Sequence, residues 1–158
     1  MTVRIRDDNR EWKAFKKKLA ELKNRPLVAV GVLGKEGSEA YKDGTFTTVD
    51  VATANEFGTE TIPARSFMRS TYEQDQSRFL AIIRRYKLKL VTNKVTVNKV
   101  LTMVGLYAQS RIQRMITQGG IPFIPNSPET IERKGSSSPL IDTGQLRQSI
   151  RYEVRNGD

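Results

Sequence analysis

SFMRSTYEQDQSRFLAIIRRYKLKLVTNKVTVNKVLTMVGLYAQSRIQRMITQ, residues 66–118, carries most of the architecture of this chain. In its first half Met68, Tyr72, Phe79, Ile83, Tyr86 and Leu90 fall within roughly 60° of one another at ~100° per residue, which predicts one long amphipathic helix over residues 66–90. Asn93 and Lys94 interrupt the pattern, and Thr96 is placed to cap a second helix. Val97, Val100, Leu101, Val104, Ala108, Ile112, Met115 and Ile116 form the stripe of that helix, and Gly119 with Gly120 ends it. Two long helices joined by a short turn predict an antiparallel pair.

Upstream, residues 1–6 alternate as a short strand through Val3 and Ile5, and Asp7 or Asp8 offers an N-cap. Trp12, Phe15, Leu19 and Leu22 then recur on one helical face until Pro26, so this helix should pack through that stripe. The valine-rich run 27–33, between Pro26 and Gly34, reads as a buried strand. Residues 35–44 are polar and glycine-containing, as an exposed loop or hairpin tip would be, and 52–57 make a short helix ended by Gly58. Downstream, Pro122, Pro125, Pro128, Pro139 and the run 135–138 predict a long loop with one helical turn at 129–133. Thr143 can cap a turn through Gln148, and Ile150, Tyr152 and Val154 alternate as a final strand. The expected fold is α+β in one domain over 1–158: a small mixed or antiparallel sheet packed against two long amphipathic helices. Exposed loops at about 35–46 and 120–139 are the candidates for partner contacts.

The 158 residues contain neither cysteine nor histidine. Thiolate nucleophiles, disulfides and sulfur-ligated metals are thereby excluded, along with the commonest general base and metal ligand at neutral pH. Asp7 with Asp8, and Glu129 with Glu132, are paired acids, but each pair sits where a helix start favours negative charge. Lys134 near Ser136–Ser138 reads as solvated loop, and neither phosphate-cradling glycine motif is present. No catalytic residue, cofactor or metal is therefore expected. Residues 1–10 are charged and no apolar run approaches the ~20 residues of a bilayer span, so neither export signal nor membrane partner is expected. The net charge of +10 is concentrated: residues 63–120 hold 11 basic and 2 acidic residues. Arg69, Arg78, Arg84, Arg85, Lys87 and Lys89 flank the apolar stripe of the first long helix and are candidates to face DNA or an acidic partner.

Two stretches carry a resemblance. The first is Val51-Ala52, then Asn55-Glu56-Phe57-Gly58-Thr59 and Ile62-Pro63-Ala64-Arg65-Ser66-Phe67-Met68-Arg69. The second is Leu140-Ile141-Asp142-Thr143-Gly144 within 139–150, preceded by the proline-rich 124–128 and by 130–135. In order and spacing they resemble the tail-completion, or head–tail joining, family of long-tailed bacteriophages, often described as minor tail or neck proteins. Ser66 departs from that pattern, standing where proline is frequent. The physical reading of the motifs is structural: Gly58 and Gly144 suit tight caps, Pro63 fixes the entry to the long helix, and Phe57 and Phe67 anchor the turn in the core. Arg65, Arg69 and Asp142 would make charge-assisted bonds, within the subunit or across an interface.

The resemblance implies a non-enzymatic structural virion protein, a self-assembling ring (a hexamer) seated in the neck around the DNA channel. Its partners would be head connector or adaptor proteins and tail tube or tail terminator proteins, with nonspecific proximity to genomic DNA. The alternative is a nonspecific DNA-binding or packaging accessory protein.

Overall fold

The computed structural model describes residues 9–42, 44–118 and 123–157. The strand expected at 1–6, the caps at Asp7 and Asp8, and the stop at Gly119 and Gly120 lie outside them. In chain order the elements are α1 (Arg10–Lys23), β1 (Leu27–Val32), α2 (Lys35–Ser38), β2 (Ala40–Tyr41), β3 (Phe46–Thr47), α3 (Thr48–Phe57), α4 (Phe67–Val91), α5 (Val97–Gln118), α6 (Pro128–Lys134), α7 (Gln145–Ser149) and β4 (Ile150–Arg155). The fold is mixed α+β, with two small antiparallel sheets of two strands each and the two long helices packed against one strand pair.

β1 and β4 pair with Leu27 opposite Arg155 and Val32 opposite Ile150. α5 lies on this ribbon so closely that a Cβ on Gly105 would stand 2.5 Å from Tyr152 Cδ2 and 2.9 Å from Val28 Cγ2, so only glycine fits there. The predicted stripe of α5 is the buried one: Val97, Val100, Ala108, Ile112, Met115 and Ile116 are all inside. Thr96 accepts from the backbone N–H of Lys99 at 3.2 Å, capping the helix as its position suggested. Around Ile112, Met115 and Ile116 the core is completed by Phe67 of α4, Ala52 of α3, Leu140, Leu146 and Ile150. Each such side chain contributes about 1.5–3 kcal/mol by leaving water.

α4 runs antiparallel to α5: Asp75 meets Arg111, and Phe79 stacks edge-on against Tyr107 with ring centroids 5.5 Å apart. Its buried line is not the predicted one. Phe67, Thr71 and Asp75, four residues apart, face inward, whereas Tyr72 is 56% exposed and Ile83 is also largely exposed. The reason is length: six-residue strands span about 20 Å, while a 25-residue helix extends about 37 Å. Among the described residues, the far half of α4 lies beside α5 and α1.

Three further expectations change. α1 does not bury its stripe; Trp12, Leu19 and Leu22 remain about half exposed, while Lys18 is buried and pairs with Glu21 at 3.0 Å. β1 is half-buried rather than buried, because it has one strand neighbour and one covered face. The polar stretch 35–44 holds a helical turn and half of the β2–β3 hairpin, with Gly37 buried against Val49 and Val32. None of the described helices is long and apolar enough to cross a membrane.

Candidate functional site

The first motif builds the junction between α3 and α4. Thr47 and Asp50 form a reciprocal capping box at the start of α3: Asp50 N–H donates to Thr47 Oγ1 at 3.2 Å and Thr47 N–H donates to Asp50 Oδ2 at 2.8 Å. At its other end Asn55 Nδ2 donates to Val51 O at 2.8 Å, and Asn55 O accepts from Arg65 N–H at 2.6 Å. Gly58 takes φ 81° and ψ 168°, where a Cβ would press on Ala64 N at 2.9 Å. Thr59 closes the turn, its N–H donating to Ile62 O at 2.8 Å and its hydroxyl accepting from Ile62 N–H at 3.0 Å.

Glu56, buried, is the cap of α4. Its two carboxylate oxygens accept from the N–H groups of Met68 and Arg69 at 2.9 and 3.0 Å, satisfying donors that a helix start leaves free. Ser66 donates to Glu56 O at 2.8 Å, so the serine that departs from the family pattern has a job here. Phe67 is fully buried as expected, but Phe57 is not an anchor: it is 72% exposed. The core residue that α3 contributes beside Phe67 is Ala52.

The second motif lands on the first. Leu140 is in the core and Ile141 packs against it. Asp142 pairs with Lys42 at 2.9 Å, and Thr143 bonds the Tyr41 hydroxyl, so the loop is fastened to the β2–β3 hairpin. Burial, the largest cause, raises the Tyr41 pKa above its ordinary value against the opposing Thr143 bond. Gly144 occupies the left-handed region at φ 82°, and Thr143 Oγ1 accepts from Gln145 N–H at 3.2 Å. Gln145 Nε2 donates to Ala40 O at 2.9 Å and to Thr48 Oγ1 at 3.0 Å.

Between the two motifs opens a cleft of about 670 Å³, with Asn55, Ile62, Pro63 and Arg65 on one side and Leu140, Asp142 and Lys134 on the other. Arg65 is buried without a carboxylate: its guanidinium donates to Ile124 O at 2.9 Å, Pro125 O at 3.4 Å and Asn126 Oδ1 at 3.2 Å. Desolvation lowers its pKa. Lys134 Nζ donates to Pro139 O at 3.1 Å and Ser138 O at 3.4 Å. Its pKa is lowered first by burial; Asp142 opposes this, and Arg65, Lys42 and Arg133 add to it.

The six basic candidates of α4 are not brought together as one patch. Arg69 donates to Ser66 Oγ at 2.5 Å near the helix start, and Arg78, at mid-helix, reaches Asp75 at 3.2 Å and Tyr107 at 3.4 Å, so both are engaged within the chain. The Tyr107 contacts and then Asp75 raise the Arg78 pKa. Arg84, Arg85, Lys87 and Lys89 are exposed along the far half, with Lys89 over the Tyr86 ring at 5.5 Å.

Lys42, Asn126 and Asp75 escaped the sequence reading. Lys42 lies 100 positions from its partner and Asn126 61 from Arg65, separations at which pattern carries no signal. Comparison with family models, with curated proteins and with solved structures gives no match to this chain.

Proposed function

We propose that this chain is a structural virion protein of a tailed bacteriophage, a ring subunit of the neck that completes the tail end and joins it to the head around the DNA channel. The phage assignment rests on the resemblance of residues 51–69 and 139–150. The observation that carries the assembly part is apolar surface: Leu88 is 77% exposed, with Leu80, Ile83 and Val91 on the same half of α4 and Trp12, Leu19 and Leu22 on α1. Clustered exposed side chains of this size mark surfaces that are covered in an assembly. The motif residues support the same reading, since they serve as caps, turns and loop anchors that hold a rigid frame. The ring would be assembled in the host cytoplasm and reside at the head–tail joint of the virion.

The second reading, a nonspecific DNA-binding or packaging accessory, draws on the four exposed cations Arg84, Arg85, Lys87 and Lys89. Deleting the gene from its phage and viewing the lysate by electron microscopy separates the two. Filled heads beside finished but unjoined tails are the expected result. Heads empty of DNA would favour the packaging role, and normal infectious particles would reject both.

A further inference from the structure

Among the described residues, the lining of the cleft between the two motifs is unevenly charged: Lys42, Arg65, Arg133 and Lys134 stand against the carboxylate of Asp142. Asp142 is taken by Lys42, and the inward groups of Arg65 and Lys134 are held by neutral oxygens of the 124–126 and 138–139 segments. Those oxygens satisfy hydrogen bonds without cancelling charge, so the described lining leaves a positive excess in an open, concave space. The rest of the lining is mixed, with apolar Val51, Ile62 and Pro63 beside polar Asn55, Thr61 and Thr130, and Phe46 stands at the wall 60% exposed. A volume of about 670 Å³ is in the range of ligand-sized sites.

We infer that this cleft receives an extended acidic peptide segment of a partner protein, with a carboxylate among Lys42, Arg133 and Lys134 and an apolar side chain against Phe46 and Ile62. Cations alone would suit any polyanion, but one feature favours a peptide. Apolar surface alternates with charge here, and an exposed aromatic beside a pocket is the kind of anchor that protein segments use. The cleft's chemistry is independent of the neck reading, and binding by the isolated protein is scored without reference to virions.

The probe is a fluorescein-labelled peptide alternating glutamate with leucine and proline, followed by anisotropy on the full chain. A peptide with lysine for glutamate and a single-stranded oligothymidylate serve as comparators. Lys42→Gln with Arg133→Gln should weaken acidic-peptide binding about tenfold. Phe46→Ala should weaken it as well, while Arg84→Gln/Arg85→Gln/Lys87→Gln/Lys89→Gln changes it by less than about twofold. Thermal melting checks each variant, and if the double variant melts early, Arg133→Gln alone, at an exposed position, decides. Equal losses from the cleft and helix variants, or none from the cleft variant, would overturn the inference in favour of general surface charge. Displacement of the peptide by oligothymidylate at equal concentration would overturn it in favour of a phosphate site.

Discussion

Glu56 accepts from two amides twelve and thirteen positions ahead of it, so one side chain fixes both the direction and the first turn of α4. Glu56→Ala removes a buried acceptor and strands two helix-start donors, a loss of about 2 kcal/mol read as a lower urea midpoint at unchanged slope. Glu56→Gln should lose less, since one carbonyl oxygen still accepts. Asp50 supplies a pH signature. Bonds from the Thr47 hydroxyl and then its backbone N–H hold the Asp50 carboxyl below its ordinary range. With the folded pKa below the unfolded one, its stabilisation is complete above about pH 4 and disappears as pH falls through the folded value. Chemical denaturation between about pH 5 and pH 2 should therefore show a shallower acid loss in Asp50→Asn than in the parent chain. Neither role was visible in the sequence reading in the same degree. A threonine three positions before an aspartate is a local signature, whereas an acid that caps a different helix across a turn has none.

Between elements, α4 and α5 are held by a buried carboxylate: Asp75 accepts from Arg111 in a short contact and from the more exposed Arg78 at 3.2 Å. Asp75→Leu leaves the Arg111 charge uncompensated and should cost about 3 kcal/mol, whereas Asp75→Leu/Arg111→Leu should recover a substantial part. A double-mutant cycle by urea unfolding measures the coupling, and additivity of the two single losses would show that the pair does not act as a unit. This contact also explains which helix was legible. α5 is covered by the ribbon on one side and by α4 on another, so its apolar period and its buried line coincide. On α4 the buried line contains a threonine and an aspartate, which no apolar period can report. The visible period runs through half-buried Met68, Phe79, Tyr86 and Leu90 as well as exposed Tyr72 and Ile83, so it marks a flank that this chain covers only in part.

For the whole molecule, α1, β1, the two long helices, α6 and β4 were readable in order and kind, while α2, the β2–β3 pairing and the first turn of α3 were not; nor were long-range fastenings such as Lys42 with Asp142, because their partners meet only after folding. Phe57 was misplaced for a related reason: it is the last residue of α3, and the sequence pattern around a chain reversal does not say which of its aromatics faces the core. The exposed Leu88 on the far half of α4 yields a direct expectation. If the chain forms the ring proposed above, Leu88→Asp should lower its sedimenting mass while changing unfolding free energy by less than about 0.5 kcal/mol, as surface substitutions do. The ribbon on which α5 rests has a different consequence. Its strands lie 118 to 128 positions apart, and among the described residues β1 has no other strand neighbour. On the ribosome, at about 5–20 residues per second, the uncharged stretch Leu27–Val32 waits about 6–25 s for β4 to be made. A nascent chain stopped before Ile150 would carry that apolar edge unpaired and should collect in the insoluble fraction, which makes synthesis of β4 the event that closes the ribbon.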